Sequence, residues 1–405
     1  MMIPGFLQKY DMQKLICYTL YQDINKPNKY QWIIKTALRF FYRILFNGYK
    51  IKYQDTNNSI LYFDRTMNMR NDIKVMLVNL FKVFDDKSDI VRWEKAKRFS
   101  FARFLSTVLF SRQCWAYFNK YPFWTKVHLI QTLIVMNDMA HDLDSVIDWT
   151  RYKLCFCFYD AETFQNFLIQ HAKQNNCLTA TLQHGIMLAK RSEISNNLDF
   201  LGIEFEAFVS DYFLVWNEFT KKEAIKSGIP EEKIKVLGVV KCIGKAGLKR
   251  ESKSKTIGVI LDGVLQEENN KYLINISQNF AKSHSFKCLF RYHPDFKGTE
   301  YNDIIDASIS EVCQKGISLE EFIRCISFCI VANSTVLFEL EYYGVPVLRY
   351  SSDNMKDKFR DYPSHYFTSE KDISEVYDKL FSSSTDKTML NADNLYKEFF
   401  LQFIN

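Results

Sequence analysis

The chain nowhere strings together about 18 uninterrupted apolar residues, so its sequence offers no membrane-spanning helix. Its opening, MMIPGFLQKYDMQK, lacks a basic-then-apolar pattern, and no secretory leader is expected. Ten cysteines are present, but none forms a C-x-x-C pair or has histidine at metal-ligand spacing. Cys155 and Cys157 sit in one apolar run, and Cys325 and Cys329 flank another. They read as small buried hydrophobes in a reducing compartment. There is no H-E-x-x-H, and no D-x-D in a turn after a strand, so no metal or other cofactor is expected. No polybasic tract interleaves with aromatics, which argues against nucleic acid as a partner. No repeat of solenoid period occurs. Together these absences point to a cytoplasmic protein that acts without bound metal.

What is present begins with size and charge. A length of 405 residues favours two domains over one. Hydrophobic residues make up 47%, enough for ordinary cores, and aromatics reach 16%, with 35 Phe and 23 Tyr. The formal charge of +6 suits an anionic ligand or a membrane surface. Basic residues dominate the first 52 positions, where only Asp11 and Asp23 oppose nine lysines and arginines. Within residues 30–47, Lys35, Arg39 and Arg43 recur every four residues beside Trp32, Ile33, Phe40, Phe41, Ile44 and Leu45. On a helix this is one cationic stripe on an apolar cylinder. It fits a helix lying on the inner face of the cell membrane. It also fits a helix packed on the domain with its stripe in water.

Residues 55–150 read mostly as helix, with strands at 59–63 and 129–136. His128 and His141 read there as surface or core histidines. From Arg151 onward, strands and helices alternate. Strands are expected at 154–159, 178–182, 212–216 and 235–237, and helices at 161–174 and 218–227. Residues 190–206 are a polar interruption. Residues 241–255, rich in Gly, Ser and Lys, read as an interdomain linker. Alternation then resumes with strands at 256–261, 286–291 and 310–313, and helices at 270–283 and 318–325. Ser318 and Glu321 form a capping box on the second of these. Residues 373–381 and 395–404 are closing helices. The expected organisation is an N-terminal domain over 1–245 and a C-terminal domain over 246–405. Each is an α/β unit with a parallel sheet, and a ligand would sit in the crevice between the two.

The clearest strand–helix–strand unit is FCIVANSTVLFELEYYGVPVLRY, residues 328–350. Its first strand is apolar throughout. Asn333, Ser334 and Thr335 turn the chain, a helix runs over 336–343, and Gly344 and Pro346 stop it. Two hydroxyls and several backbone N–H groups thus meet at a helix start just past a parallel strand, where an open α/β sheet takes phosphate. Glu339, one turn deeper, fits a ribose-hydroxyl acceptor or a solvated helix glutamate. Two further motifs fall at strand ends: Gln183-His184-Gly185 and Tyr292-His293-Pro294. Parallel strands place such ends on one side, so the three can converge.

The ordered words TATLQHG, SDYFLVWNEFTKKEAIKSGIPEEKIKVLG, FRYHP and ANSTVLFELEYYGVPVL resemble a family. They span roughly residues 154–350, about half the chain. The pattern is similar to GT-B-type glycosyltransferases of bacterial surface-polysaccharide synthesis. Relatives include the capsule Kdo transferases, the bacterial sialyl- and polysialyltransferases, and the CDP-glycerol glycerophosphotransferases of teichoic acid synthesis.

The resemblance implies a GT-B fold of two Rossmann-like domains and a nucleotide-sugar donor. It implies a glycan or lipid-linked acceptor in capsule or exopolysaccharide synthesis. His293 would contact the donor phosphate and assist departure, with Ser334 and Thr335 on the same phosphate and Glu339 on the ribose. His184 matches a proposed catalytic base, flanked on the acceptor side by Gln183, Gly185 and Lys190. Asp262 with Gly263 is similar to the acidic-Gly motif of the sialyltransferases, where the acid is the base. In many such enzymes that loop contacts donor phosphate instead, and Gly263 and Arg291 are counted with the donor. Three departures matter. Gln183 stands where the glycerophosphotransferases carry Trp, Ala332-Asn333-Ser334-Thr335 replaces Ser-Asp-Tyr-Ser-Ser, and Leu261 replaces a second acid.

The chemistry agrees with the class. A departing nucleotide gathers negative charge on phosphate, which imidazolium, hydroxyls and a helix start stabilise without a metal. A histidine suits deprotonation of an acceptor hydroxyl. Two other readings share the fold: a glycerophosphotransferase, and a non-catalytic nucleotide- or glycan-binding scaffold. A sugar-nucleotide 2-epimerase shares it too, but its acidic and histidine motifs are not apparent.

Overall fold

Short runs with every side chain buried form the central strands. Ile60–Phe63, Leu154–Cys157 and Phe328–Val331 have no solvent-facing side. A parallel sheet covered by helices on both faces requires this. The computed structural model describes residues 5–24, 29–64, 71–189, 200–245, 255–263, 266–294, 296–351, 358–359, 361–382 and 391–404. The chain forms two compact units, Met1–Val240 with Asp393–Asn405, and Lys241–Ala392.

Among the described residues the first unit holds seven strands: β1 Asn47–Gln54, β2 Ile60–Phe63, β3 Asp89–Arg98, β4 Leu154–Cys157, β5 Leu178–Leu182, β6 Tyr212–Val215 and β7 Ile234–Val236. Their order is β1-β3-β2-β4-β5-β6-β7. β1 runs antiparallel to β3, and every other pair is parallel. The second unit holds β8 Thr256–Ile260, β9 Lys287–Arg291, β10 Ser310–Val312, β11 Phe328–Val331, β12 Val347–Tyr350 and β13 His365–Phe367. Their order is β10-β9-β8-β11-β12-β13, parallel throughout. The chain adds strands to one side of β8, then crosses to the other at β11. That is the doubly wound dinucleotide-binding order, with its switch point between β8 and β11. The expected α/β architecture, two Rossmann-type parallel sheets with a C-terminal helix, is the one the chain adopts.

β8 owes its close helix packing to Gly258. A Cβ added there would lie 2.7 Å from Ile326 Cδ1 and 2.8 Å from the Phe322 ring. Both neighbours are fully buried, so neither can swing away. Gly258→Ala is therefore expected to cost about 1–3 kcal/mol in a urea titration. An unchanged midpoint would show that the helix at Leu319–Arg324 shifts freely.

Three expectations need correction. Residues 129–136 are not a strand but the middle of a helix, Phe123–Val146. Their run of Leu, Ile and Val reads as strand because the helix is buried around its circumference. It packs against the helices Lys29–Leu45 and Phe101–Tyr117 and against β1. The last helix, Ala392–Leu401, was expected with the second domain but packs in the first unit. Phe400 lies 4.5 Å from the Phe84 ring and 5.0 Å from Phe156, and Ser59 donates to the Phe403 carbonyl at 2.5 Å. The apolar face beside β4 is what draws it back. Finally, the linker expected over 241–255 starts later. Residues 240–242 form a short helical turn, and Cys242 and Ile243 are fully buried. Lys241 and Lys245 pair with Glu339 at 3.4 Å and Glu320 at 2.5 Å. Lysines that look like linker composition are here anchors within the second unit. Residues 246–254 lie outside the described residues.

Candidate functional site

In the first unit, β5 ends at Leu182 and delivers Gln183, His184 and Gly185. Gln183 is fully buried and makes three hydrogen bonds. Its amide nitrogen donates to the Gly185 carbonyl at 2.8 Å and toward Thr220 Oγ1 at 3.1 Å, and its oxygen accepts from the Trp216 N–H at 2.7 Å. Such a saturated buried amide braces the β5 and β6 loops. Gly185 faces open space: an added Cβ would meet nothing within 4 Å. Lys190 lies outside the described residues.

His184 stands against the end of β4, its ring 4.2 Å from Tyr159 and 5.5 Å from Phe158. Its Nε2 is 3.7 Å from Glu204 Oε1. Glu204 is only 3% exposed and belongs to the helix Phe200–Glu206. At that distance the carboxylate stands where it can orient the imidazole ring. The neighbouring Tyr159 hydroxyl has its pKa pushed far up, chiefly by burial, with the Glu204 charge adding to it. Sequence reasoning placed Glu204 in a polar interruption and missed it. No spacing rule links it to His184.

In the second unit, three loops leave the C-terminal ends of three adjacent strands, β9, β8 and β11. They carry His293, Asp262 with Gly263, and Asn333-Ser334-Thr335. Asp262 is 5% exposed. Its backbone is held by Asn270, which accepts from the Asp262 N–H at 2.9 Å and donates to its carbonyl at 3.0 Å. Asp262 Oδ2 accepts from the Asn333 N–H at 3.1 Å, and Asn333 Oδ1 in turn accepts from the Lys358 N–H at 3.0 Å. The carboxylate thus ties together the two sides of the switch point. Burial pushes its pKa up. The Asn333 N–H, then the charges of Lys358 and His293, pull the other way. Gly263 lies against the His293 ring: a Cβ there would sit 3.8 Å from Nδ1, an ordinary contact.

Ser334 and Thr335 are half-buried, and Ser334 Oγ accepts from the Val336 N–H at 3.4 Å. The helix that follows, Val336–Tyr342, has only seven residues. Its dipole is correspondingly short. Glu339 is 8% exposed and paired with Lys241, so it is not a solvated helix glutamate. Arg291 turns away from the loops. Its Nη1 donates to the carbonyls of Ile317 at 2.8 Å and Ser318 at 3.3 Å, and the guanidinium lies over Phe322. Its evident work is to hold the β10–helix connection. The structure therefore gathers Asp262, Gly263, His293 and Asn333 in the second unit, with Ser334 and Thr335 on the same turn.

A cavity of about 750 Å³ in the first unit lies elsewhere, near Lys9, Lys14, Lys173 and Lys233. It opens at the N-terminal ends of β6 and β7. Lys14 donates to the Phe208 carbonyl, and Lys173 to the Val209 carbonyl and Asp211. Open α/β sheets bind ligands at the opposite end, and the strand-end loops are the better candidate.

No family model matches the sequence, and no curated protein does. Solved structures do resemble the fold. The UDP-GlcNAc 2-epimerase of Neisseria meningitidis, bound to UDP-GlcNAc, is 13% identical over 85% of this chain and 99% of its own, with a TM-score of 0.50. The UDP-N-acetylglucosamine 2-epimerase of Rickettsia bellii is 13% identical over 85% and 95%, with a TM-score of 0.49. The lipopolysaccharide outer core galactosyltransferase WaaB is 11% identical over 85% and 98%, with a TM-score of 0.47. At these identities the likeness is one of fold, and that fold is GT-B.

Proposed function

We propose that the chain is a GT-B-type glycosyltransferase, moving a sugar from a nucleotide-sugar donor to a lipid-linked glycan acceptor in capsular or exopolysaccharide synthesis. The observation that carries this reading is the switch point of the second unit. There Asp262, Gly263, His293 and the Asn333-Ser334-Thr335 turn come from three adjacent strands. As the bond from sugar to phosphate breaks, negative charge grows on the departing nucleotide. The His293 imidazole N–H and the two hydroxyls are the groups to receive it, in a partly dehydrated setting where such contacts are strongest. Glu339 takes a ribose hydroxyl while its other oxygen stays with Lys241. His184 takes the proton of the acceptor hydroxyl, steadied by Glu204. Residues 30–47 bring the enzyme to the membrane that holds its acceptor.

The test is a thermal-shift series with UDP, GDP, CDP and CMP, followed by transfer assays with the sugar form of the nucleotide that binds. A ligand at about 100 times its Kd stabilises the fold by about 2.7 kcal/mol, a readable shift. One nucleotide should raise the melting temperature, and Ser334→Ala should weaken that rise. Four flat traces at millimolar ligand would sink the proposal. Epimerised or glycerophosphorylated product in place of transferred sugar would reassign the chemistry on the same site.

The Glu204–His184 pair gives a separate prediction. A positioned general base is worth about 10²–10⁴-fold. Glu204→Gln, which keeps the shape and removes the charge, should lower kcat by at least about tenfold while donor KM stays put. Wild-type kcat in that variant would detach Glu204 from the chemistry.

A further inference from the structure

The helix Lys29–Leu45 divides its apolar residues between two faces. Thr36 is buried, Phe40 and Ile44 pack on the core, and Trp32 and Ile33 are half-buried. Opposite them stand Tyr30, Ile34, Leu38, Phe41 and Leu45, at helical spacing, with exposures of 83%, 60%, 65%, 65% and 41%. Water meets the apolar stripe that a packed helix should have hidden.

The helix Phe101–Tyr117 repeats the arrangement. Thr107, Phe110, Ser111 and Cys114 face inward. Phe101, Leu105 and Leu109 face out, 66%, 48% and 62% exposed. The two helices are neighbours. Arg103 donates to the carbonyls of Ile44 at 3.2 Å and Arg43 at 2.8 Å, and the Phe46 ring lies 6.1 Å from Phe99. Both pack on the helix Phe123–Val146 and touch each other, so the two exposed stripes lie on neighbouring helices. Paired apolar stripes of this kind are uncommon on a soluble surface and mark an interaction site.

Its charges identify the occupant. The two helices carry Lys29, Lys35, Arg39, Arg43, Arg103 and Arg112, and not one Asp or Glu. Arg103 is bound to Asp138 at 2.6 Å, and Arg43 covers the Tyr49 ring. Lys35, Arg39 and Arg112 are exposed beside the apolar stripes. Long cationic side chains flanking a greasy centre match phosphate headgroups above acyl chains. Among the described residues no helix is long and apolar enough to cross a membrane. At 17 residues each, the pair suits lying in the plane of the interface.

We infer that these two helices form a single platform that embeds in an anionic bilayer, with Ile34, Leu38, Phe41, Leu105 and Leu109 below the headgroups. This rests on the peripheral-contact reading of residues 30–47 and adds to it a second helix, a defined face and a lipid charge requirement. The experiment is cosedimentation of the full chain with vesicles of phosphatidylglycerol and phosphatidylcholine in equal parts, and with phosphatidylcholine alone. The wild type should pellet with the anionic vesicles and remain in solution with the neutral ones. Leu105→Asp and Leu38→Asp should each lower binding by about tenfold or more. Lys35→Gln with Arg39→Gln should lower it while leaving the apolar face intact, and serves if an aspartate variant fails to fold. The nucleotide-induced thermal shift, read on every variant, should persist, which separates this test from that of the sugar-transfer reading. Unchanged binding by Leu105→Asp would overturn the two-helix platform. So would a wild type that ignores anionic vesicles, or one that is dimeric and becomes monomeric on Leu38→Asp, which would assign the face to a second copy.

Discussion

His293→Ala is expected to lower transfer by about 10²–10⁴-fold and to leave the melting temperature nearly unchanged. The imidazole stands past the end of β9, half-buried, against Gly263 and within electrostatic reach of Asp262. A side chain so placed adds little to the core but can act on a developing phosphate charge, which partial burial leaves less screened than in bulk water. The loss should fall on kcat, with donor KM rising far less, since the charge appears only as the bond breaks. His293→Gln, which offers a neutral donor of similar reach, should recover part of the rate. The measurement is steady-state transfer with the nucleotide sugar found by thermal shift. Normal turnover in the alanine variant would remove His293 from the mechanism. Gly263→Ala supplies a companion. A methyl at 3.8 Å from the ring fits the fold, so the variant should melt like the wild type, and on the proposed reading it would crowd the donor phosphate and slow transfer.

Much of this site could be read in the sequence because parallel strands impose their geometry. Once 256–261, 286–291 and 328–332 are strands, the residues after them must share one end of a sheet. The switch point then follows from chain order, which is why Asp262, His293 and Asn333 meet. Other features carried no such signal. Glu204 reaches His184 through a helix that follows a polar stretch, and nothing in its spacing ties the two. The burial of Glu339 depends on Lys241, which composition assigned to a linker. β1 does alternate, with Tyr49, Ile51 and Tyr53 toward the core and Lys50 and Lys52 outward. Its lysines were absorbed into the basic character of the N-terminus, and the strand went unseen. Residues 129–136 show the converse. A run of Leu, Ile and Val has strand propensity, but a helix buried on all sides needs the same residues, and packing decides. Which apolar face of Lys29–Leu45 turns outward carried no sequence signal, because both have helical period. Only the side taken by the core separates them.

Asp262 makes the sharpest distinction between a residue that reacts and one that positions. The family likeness allows it to be the base, but its geometry argues for the second role. The side chain is 5% exposed, and Oδ2 is occupied by the Asn333 N–H. Asp262→Asn keeps an oxygen for that N–H and should retain most of the transfer rate. Asp262→Ala leaves the N–H unsatisfied, which costs about 1–3 kcal/mol, and frees the turn that carries Ser334 and Thr335. Its rate should fall far more than that of the asparagine variant. Stability against pH supplies an independent check. Burial raises the folded carboxyl above its ordinary value of 3.8, so between those two values the folded state binds more protons than the unfolded. Wild-type stability therefore declines as pH rises through that window, and at neutral pH the buried charge is a net cost. The asparagine variant lacks this decline and should melt at the same temperature or higher at pH 7, with the difference vanishing in acid. If instead Asp262→Asn folds well but loses activity as fully as His293→Ala, the carboxylate is the base, and His184 with Glu204 is released from that task.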